Sequence, residues 1–506
     1  MEQIKHECGV IGIHMKDPSG MSDNDLLTTP DILIKGLSIL QHRGQRSAGI
    51  SIYRPHKKNG NKKIISTYKN VGKISEVFKL NKPEDYSTIL KRCKGISGIG
   101  HTRYSTSGNI EDEFSALDET QPFERRHSRS WKKFSIAFNG NIANYDELVK
   151  EIEEYDYQLE TNVDTEVLMN LISRNINLLE ENSKKPDLFK VMEMTMMKLD
   201  GAYNIVCLFG DGDLVILRDP KGFRPLVIGE NSEFYCVASE SCALERVGIT
   251  EFRDVLPGEV IILNEKGITS KIINPSRRSF CHFEPVYFSK GNSIMEGFTV
   301  IDVRKKLGEE LAINEPLKEK INSDFLVVPA PMTAIPSAER YAQFLNLPFR
   351  HAIEKISTDR GFINPLLERK RIMSGNYIIH SDVNGKKILL IDDSIVRGET
   401  LARLVNDLKK KGAKEVHIRI TEPMITCPCF YGVDFHSKNE LISNKNNQNP
   451  ESIGFELGAD SLFFNSIESL VKSIGIKKEE LCLACLNGEY PTYAGKKLFE
   501  KENSGF

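Results

Sequence analysis

Short β-branched runs alternate with amphipathic stretches along the whole chain, but the rhythm changes near its middle. In the first half, strands are predicted at residues 64–68, 134–138, 203–209 and 214–217, with a Gly-Asp-Gly turn between the last two. Helices are predicted at residues 31–40, 146–154 and 165–179, with Thr29 and Pro30 where a cap and first helical residue belong. That mixture describes stacked sheets flanked by helices. Polar interruptions at 54–63 and 111–133 are expected to be surface loops, the second holding the single tryptophan, Trp131. Breaks at Pro257-Gly258-Glu259 and Asn274-Pro275-Ser276-Arg277-Arg278 end this half. Beyond them, strands at 325–328, 387–391 and 415–420 alternate with helices at 338–345 and 400–411, and a further strand and helix fill 461–474. Such alternation predicts a parallel sheet with helices on both faces. The Asn-, Lys- and Gln-rich run 444–449 is expected to be a solvated loop.

With 506 residues there is room for roughly two or three domains. A formal net charge of -2 gives no ground for a nucleic-acid or membrane surface. The amino terminus lacks a secretion-signal pattern, and no apolar run approaches the ~18 residues a membrane helix needs, so a cytoplasmic location is expected. There the ten cysteines are not a disulfide framework but candidate ligands or catalysts, and Cys427, Cys429, Cys482 and Cys485 cluster late in the chain.

Candidate chemistry starts at Cys8, which heads the run Cys8-Gly-Val-Ile-Gly-Ile. Removal of the leader 1–7 would make it the amino terminus, and its α-amine, with a pKa near ~8, would then serve as base for its own thiol. The plainer alternative is a small buried residue entering a strand. Polar islands punctuate the same half: His42-Arg-Gly-Gln, the stretch around Arg103, Asn139-Gly140-Asn141 and Asp164-Thr165-Glu166. An arginine after a strand can grip a carboxylate, an Asn-Gly pair can form an oxyanion hole, and an aspartate can hold an ammonium. Singly, each is a turn or a surface ion pair. Jointly, they describe a site for an α-amino acid with a reactive side-chain carbonyl.

These strings, with Gly100-His-Thr-Arg-Tyr-Ser-Thr-Ser-Gly108 and Phe138-Asn-Gly-Asn, closely resemble the N-terminal-nucleophile, or class II, glutamine amidotransferase domain. Leu217-Arg-Asp-Pro-Lys-Gly-Phe-Arg-Pro-Leu226 and Ala238-Ser-Glu-Ser-Cys242 resemble its later part. The resemblance implies a four-layer αββα glutaminase over residues 8–265 after a propeptide, 1–7. Cys8 would attack glutamine, Asn139 with the Gly140 N–H would stabilise the oxyanion, Arg103 would bind the substrate carboxylate, and Asp164 with the Gly140 carbonyl would bind its ammonium.

In the second half, Lys386-Lys-Ile-Leu-Leu-Ile-Asp392-Asp393-Ser394-Ile395-Val396-Arg397-Gly398 reads as a buried strand ending in paired acids, then a turn and a helix. Such acids suit ribose hydroxyls, and backbone N–H groups opening a helix suit phosphate; a helix cap or a metal site would use Asp-Asp too. The whole string resembles the phosphoribosyl-diphosphate signature of type I phosphoribosyltransferases. Paired with the glutaminase, it resembles the glutamine phosphoribosylpyrophosphate amidotransferase family, with a transferase-like domain at 280–475. The resemblance implies that Asp392, Asp393, Ser394, Arg397, Gly398 and Thr400 bind phosphoribosyl diphosphate and Mg²⁺, in the first step of purine synthesis. It also implies purine nucleotides as feedback inhibitors and a homo-oligomer. Cys281, Cys429, Cys482 and Cys485, the last two in a C-terminal segment, 476–506, fall where the iron-sulfur branch holds a [4Fe-4S] cluster. Zinc and unliganded thiols are the alternatives from the residues themselves, and Cys427 is an alternative to Cys429.

Three departures lie in the acceptor half. Ala330 stands where the diphosphate loop usually has an acid, Lys355-Ile-Ser-Thr-Asp359-Arg-Gly-Phe replaces the usual flexible-loop string, and Glu399 replaces a threonine beside the phosphate site. A carboxylate there repels phosphate unless it turns to solvent. Two further hypotheses follow: a paralogue with an active glutaminase and a regulatory or ammonia-donating second half, and a class II enzyme with another acceptor.

Overall fold

The computed structural model describes residues 8–55, 64–103, 113–355 and 377–504. Two antiparallel sheets fill the first half. One has seven strands in the order 252–254, 227–230, 234–238, 9–15, 97–103, 47–53, 65–71; the other has six, 267–272, 259–264, 214–218, 201–209, 134–142, 123–125. Three successive cores set the layers. Helix Thr28–Ile39 buries Ile32, Leu33, Ile34 and Leu37 on the seven-stranded sheet. Val10, Ile99, Val206, Leu208, Ile216 and Val237 fill the space between the sheets. Helices Tyr145–Glu154, Asp164–Leu179 and Leu188–Lys198 cover the far face of the six-stranded sheet. The result is the αββα sandwich, and its two inner strands, Phe134–Ile142 and Gly201–Phe209, are buried at every position.

Local boundaries differ from expectation for physical reasons. Thr29 is not the cap of the first helix, which begins at Thr28 because a 3₁₀ turn, Asp25–Leu27, runs straight into it. Pro30 remains in the first turn, where a missing N–H costs nothing. The expected loop at 111–133 contains helix Glu113–Asp118 and strand Phe123–Arg125, the latter paired with Phe134–Ile136 despite its charged residues. The expected loop at 444–449 is partly ordered: Asn444 lies in helix Ile442–Lys445, and the Asn449 side chain caps helix Pro450–Glu456 by accepting from the Glu451 and Ser452 amides.

The second half has a four-stranded parallel sheet in the order Phe325–Pro329, Lys387–Asp392, Glu415–Ile420, Ser461–Phe464. Helices Val300–Ile313 and Ile335–Leu345 pack on one face through Leu311, Ala338 and Tyr341; Leu401, Leu404, Val405 and Leu408 of helix Glu399–Lys410 pack on the other. A separate core around Phe223, Phe280, Phe283, Phe430 and Tyr431 fuses the halves, and strand Leu481–Cys482 pairs in parallel with Phe280–Cys281.

Candidate active site and thiol cavity

Cys8 immediately precedes the central strand Gly9–Met15 and is fully buried. Its nitrogen, the atom that would become the α-amine, lies 3.4 Å from Asn139 Oδ1. Ser239 ties the two together: its hydroxyl accepts from the Val10 N–H at 3.0 Å and lies 3.5 Å from Asn139 Nδ2, which donates to it. Gly140 follows on the same strand. Its partner across the sheet, Tyr203, turns its own N–H and C=O toward Asp219, so the Gly140 pair points the other way. On that side Gln121 Oε1 takes the Phe138 N–H at 2.7 Å, and the adjoining strand, Phe123–Arg125, reaches no further than Ile136. The Gly140 amide and carbonyl therefore point away from the neighbouring strand, next in sequence to Asn139, whose Oδ1 reaches the Cys8 nitrogen.

Arg103 ends strand Ser97–Arg103 and is buried, with Gly44 pressed against its backbone. Nη2 donates to Glu119 at 2.6 Å, while Nε and Nη1 have no partner among the described residues. Asp164 opens helix Asp164–Leu179 with both carboxylate oxygens buried and without a well-formed hydrogen bond. Burial pushes its carboxyl up to about 7, although the Thr165 and Ile142 amides and Arg103 hold it down in part. Glu166, two residues on, is instead consumed locally by the Glu160 and Thr161 amides. Ser239, Glu119 and Gln121 support the site through contacts that no local pattern announces; Ser239 alone lay in a quoted string.

In the second half Asp392 and Asp393 stand at the carboxyl end of the middle strand. The Asp393 N–H donates to Asp392 Oδ1 at 2.9 Å, Ser394 donates to Asp393 Oδ1 at 2.8 Å, and Thr333 donates to Asp393 Oδ2. Burial, and for Asp392 its neighbour's charge, pushes both carboxyls up. Gly398 adopts φ +81° to start helix Glu399–Lys410. Arg397 pairs with Glu440 at the surface, and Thr400 is exposed. Glu399 is exposed as well, which relieves the expected repulsion, and Ala330 is buried in the apolar core. The altered flexible loop lies outside the described residues beyond Lys355, as does the leader.

Cys281, Cys429, Cys482 and Cys485 line one cavity with Arg224 and His282. Cys427 does not line it; its sulfur faces Thr426 and Gly488. Burial pushes the Cys281 thiol up to about 12 and raises Cys482 and Cys485 well above the ordinary thiol range. Among the described residues no three donors converge as closely as a single metal ion requires.

A buried ion network joins the halves. Arg43 pairs with Glu240 and, at 2.6 Å, with Glu284; Arg224 binds Glu284 at 3.0 Å and the Tyr431 carbonyl at 3.1 Å. Together the two halves define a class of protein, a glutamine amidotransferase whose nucleophile-first sandwich is fused to a phosphoribosyltransferase-type sheet. A family profile described as a glutamine amidotransferase domain matches residues 112–246. The amidophosphoribosyltransferase of Methanothermobacter thermautotrophicus is 37% identical, the match covering 99% of this chain and 98% of that one. That of Bacillus subtilis is 35% identical, covering 97% and 95%. The chain belongs to the amidophosphoribosyltransferase family. Among solved structures, one described as the allosteric regulatory enzyme of purine biosynthesis superposes with a TM-score of 0.82 at 34% identity, over 96% of this chain and 97% of that one. The B. subtilis glutamine phosphoribosylpyrophosphate amidotransferase complexed with ADP and GMP gives 0.80 at 34% identity, over 96% and 98%. No helix among the described residues is long and apolar enough to cross a membrane.

Proposed function

We propose that this protein transfers the amide nitrogen of glutamine to phosphoribosyl diphosphate, giving 5-phosphoribosylamine, diphosphate and glutamate, the first step of purine synthesis. The observation that carries the reading is the presence on one chain, matched nearly end to end by named relatives, of both constellations: Cys8 with Asn139 and Gly140, and Asp392 with Asp393.

With residues 1–7 removed, the Cys8 thiol gives its proton to the adjacent α-amine and attacks the glutamine carboxamide carbon. Asn139 Nδ2 and the Gly140 N–H hold the resulting oxyanion. The C–N bond breaks, the amine returns its proton to the departing ammonia, and water then releases glutamate from the thioester. Arg103 grips the substrate carboxylate through its uncommitted nitrogens, while Asp164 and the Gly140 carbonyl hold the ammonium. At the second site Asp392 and Asp393 face the ribose hydroxyls, and the turn from Ser394 through Arg397, Gly398 and Thr400 faces the phosphate, as ammonia attacks the anomeric carbon and diphosphate leaves. Asp392 and Asp393 would also hold Mg²⁺, which offsets the charge of the diphosphate.

The four cavity thiols would hold a [4Fe-4S] cluster, which cross-links segments distant in sequence. Four thiols lining one cavity, two of them in Cys482-Leu-Ala-Cys485, support the cluster, with zinc as the alternative occupant. Purine nucleotides as inhibitors, a homo-oligomer and a cytoplasmic location belong to the same reading; the B. subtilis relative was solved with ADP and GMP.

The test is glutamate and diphosphate release, measured together on anaerobically purified, processed protein with and without phosphoribosyl diphosphate and Mg²⁺. Equal amounts, abolished in Cys8→Ala, are expected. Glutamate without diphosphate would leave only the glutaminase, with the second half regulatory or ammonia-donating, the reading that the buried Ala330 favours.

A further inference from the structure

One nine-residue segment, 281–289, touches the thiol cavity and both halves of the chain. Cys281 lines the thiol cavity, Glu284 receives Arg43 and Arg224 of the glutaminase half, and Arg304 of the second half donates to the carbonyls of Pro285, Val286 and Ser289. Between them His282 lines the thiol cavity, its Nε2 3.9 Å from the Cys485 sulfur, and also reaches past it into the second half. Its Nδ1 lies 2.7 Å from the Cys482 carbonyl, and its Nε2 lies 2.5 Å from Oε1 of Glu422. Both side chains are almost wholly buried, and no other donor among the described residues reaches either Glu422 oxygen.

Glu422 is placed by the parallel sheet. Strand Glu415–Ile420 pairs with Lys387–Asp392, and the ladder runs on past its end: the Thr421 N–H donates to the Asp392 carbonyl at 3.0 Å and the Glu422 N–H to the Asp393 carbonyl at 2.9 Å. The Thr421 hydroxyl adds a 3.3 Å bond to the same Asp393 carbonyl. The backbone that presents the two acids is thus fastened to residues 421 and 422, and among the described residues the Glu422 side chain meets His282 alone. A buried carboxylate with one polar partner is held by it, because losing that partner leaves a polar group buried and unsatisfied.

We infer that His282 and Glu422 form a strut that positions the Asp392–Asp393 acids for Mg²⁺–phosphoribosyl diphosphate, tying the acceptor site to the thiol-bearing segment. Both are positioning residues, and the inference rests on the acceptor role given to Asp392 and Asp393 above. It predicts that acceptor-site affinity depends on the Nε2 contact rather than on the bulk of the imidazole.

The experiment is calorimetric titration of Mg²⁺–phosphoribosyl diphosphate, without glutamine, into the parent protein and four variants whose visible iron-sulfur absorption and melting have been recorded. His282→Asn, which withdraws the Nε2 arm, and Glu422→Ala each weaken binding by about tenfold. The double variant is no weaker than either single one, because one contact has been removed twice. His282→Gln, which keeps a donor near the Nε2 position, retains affinity within about twofold of the parent. Unchanged affinity in His282→Asn, equal losses in His282→Asn and His282→Gln, or losses that multiply in the double variant would each overturn the strut. If Glu422→Ala does not fold, the Asn and Gln variants decide alone. Failure of the parent itself to bind removes the proposed function and the strut with it; binding by the parent and by His282→Asn alike removes only the strut.

Discussion

A Cβ placed on Gly140 would lie 2.0 Å from the carbonyl oxygen of Ala202 on the neighbouring strand, and φ at this position is +158°. Neither the strand partner nor the backbone conformation leaves room for a side chain. Gly140→Ala is therefore expected to cost about 3 kcal/mol or more, through backbone displacement. With the same amide proposed as an oxyanion donor, glutamine turnover should fall by about a hundredfold or more in whatever folds. Thermal melting with glutamate release checks both; parent-like values would remove Gly140 from the oxyanion hole.

With Asp164 proposed as the ammonium ligand, glutamine binding is expected to depend on pH. Its carboxyl, raised to about 7 by burial, still carries a proton in much of the unliganded protein under mildly acidic conditions. An ammonium needs the carboxylate, so binding below about pH 7 must expel that proton. Calorimetry of glutamine on Cys8→Ala in buffers of different ionisation enthalpy should find nearly one proton released at about pH 6, few at about pH 8, and none in Asp164→Asn. The folded-state carboxyl is raised above its unfolded value. Its stabilising contribution is thus complete below the unfolded value and disappears as pH rises through about 7, and Asp164→Asn should gain stability relative to the parent in alkali.

Cys429 lines the thiol cavity and Cys427, two residues earlier, does not. Cys427→Ser should keep the full iron content and visible absorption of anaerobically reconstituted protein, whereas Cys429→Ser should lose most of both. The opposite pattern would exchange the two ligand assignments.

The Arg43–Glu240–Glu284–Arg224 network is buried, so removing one cation strands a charge. Arg43→Met should destabilise the protein by about 3–5 kcal/mol in chemical denaturation at neutral pH. Arg43 and His42 hold the Glu240 carboxyl far below its ordinary value despite burial, and Arg43 and Arg224 hold Glu284 down as well. Stability from depressed carboxyls is present above the unfolded value and is lost as pH falls, so the parent should weaken steadily below about pH 4.5. Arg43→Met should lose less over that range; an equal acid slope would show that the network is not its source.

Elements with strong periodicity were legible from the residues alone. Helix Asp164–Leu179 carries Val167, Leu168, Leu171, Ile172 and Ile176 on one face, and the parallel strands read as unbroken apolar runs. Strand Ile65–Val71 was foreseen only to Tyr68, because pairing with Ser47–Tyr53 carries Lys69 and Asn70 along as strand residues. At the site, Cys8, Arg103, Asn139, Gly140 and Asp164 stood out as chemistry-bearing types in polar islands. Ser239 and Glu119 did not, since a serine one hundred residues from Asn139 and a glutamate closing a short helix acquire their meaning only from the fold. The pairing of Glu240 and Glu284 was equally hidden, since the two arginines that meet them in the interior come from distant strings.

The parallel pairing of Phe280–Cys281 with Leu481–Cys482 joins stretches about two hundred residues apart. A ribosome delivers the first of these long before the second, and the glutaminase sandwich is complete by then. Phe280, Phe283 and the Cys281 thiol must wait at the junction, unsealed, through the synthesis of an entire second domain. The last strand and turn supply Cys482 and Cys485, and the closing helix, Tyr493–Ser504, is tied back to the sandwich by the Ala494 N–H donating to Asp200. The speed of translation across those two hundred residues, and not only the redox poise of the compartment, therefore governs how long the first sulfur stands open to oxidation.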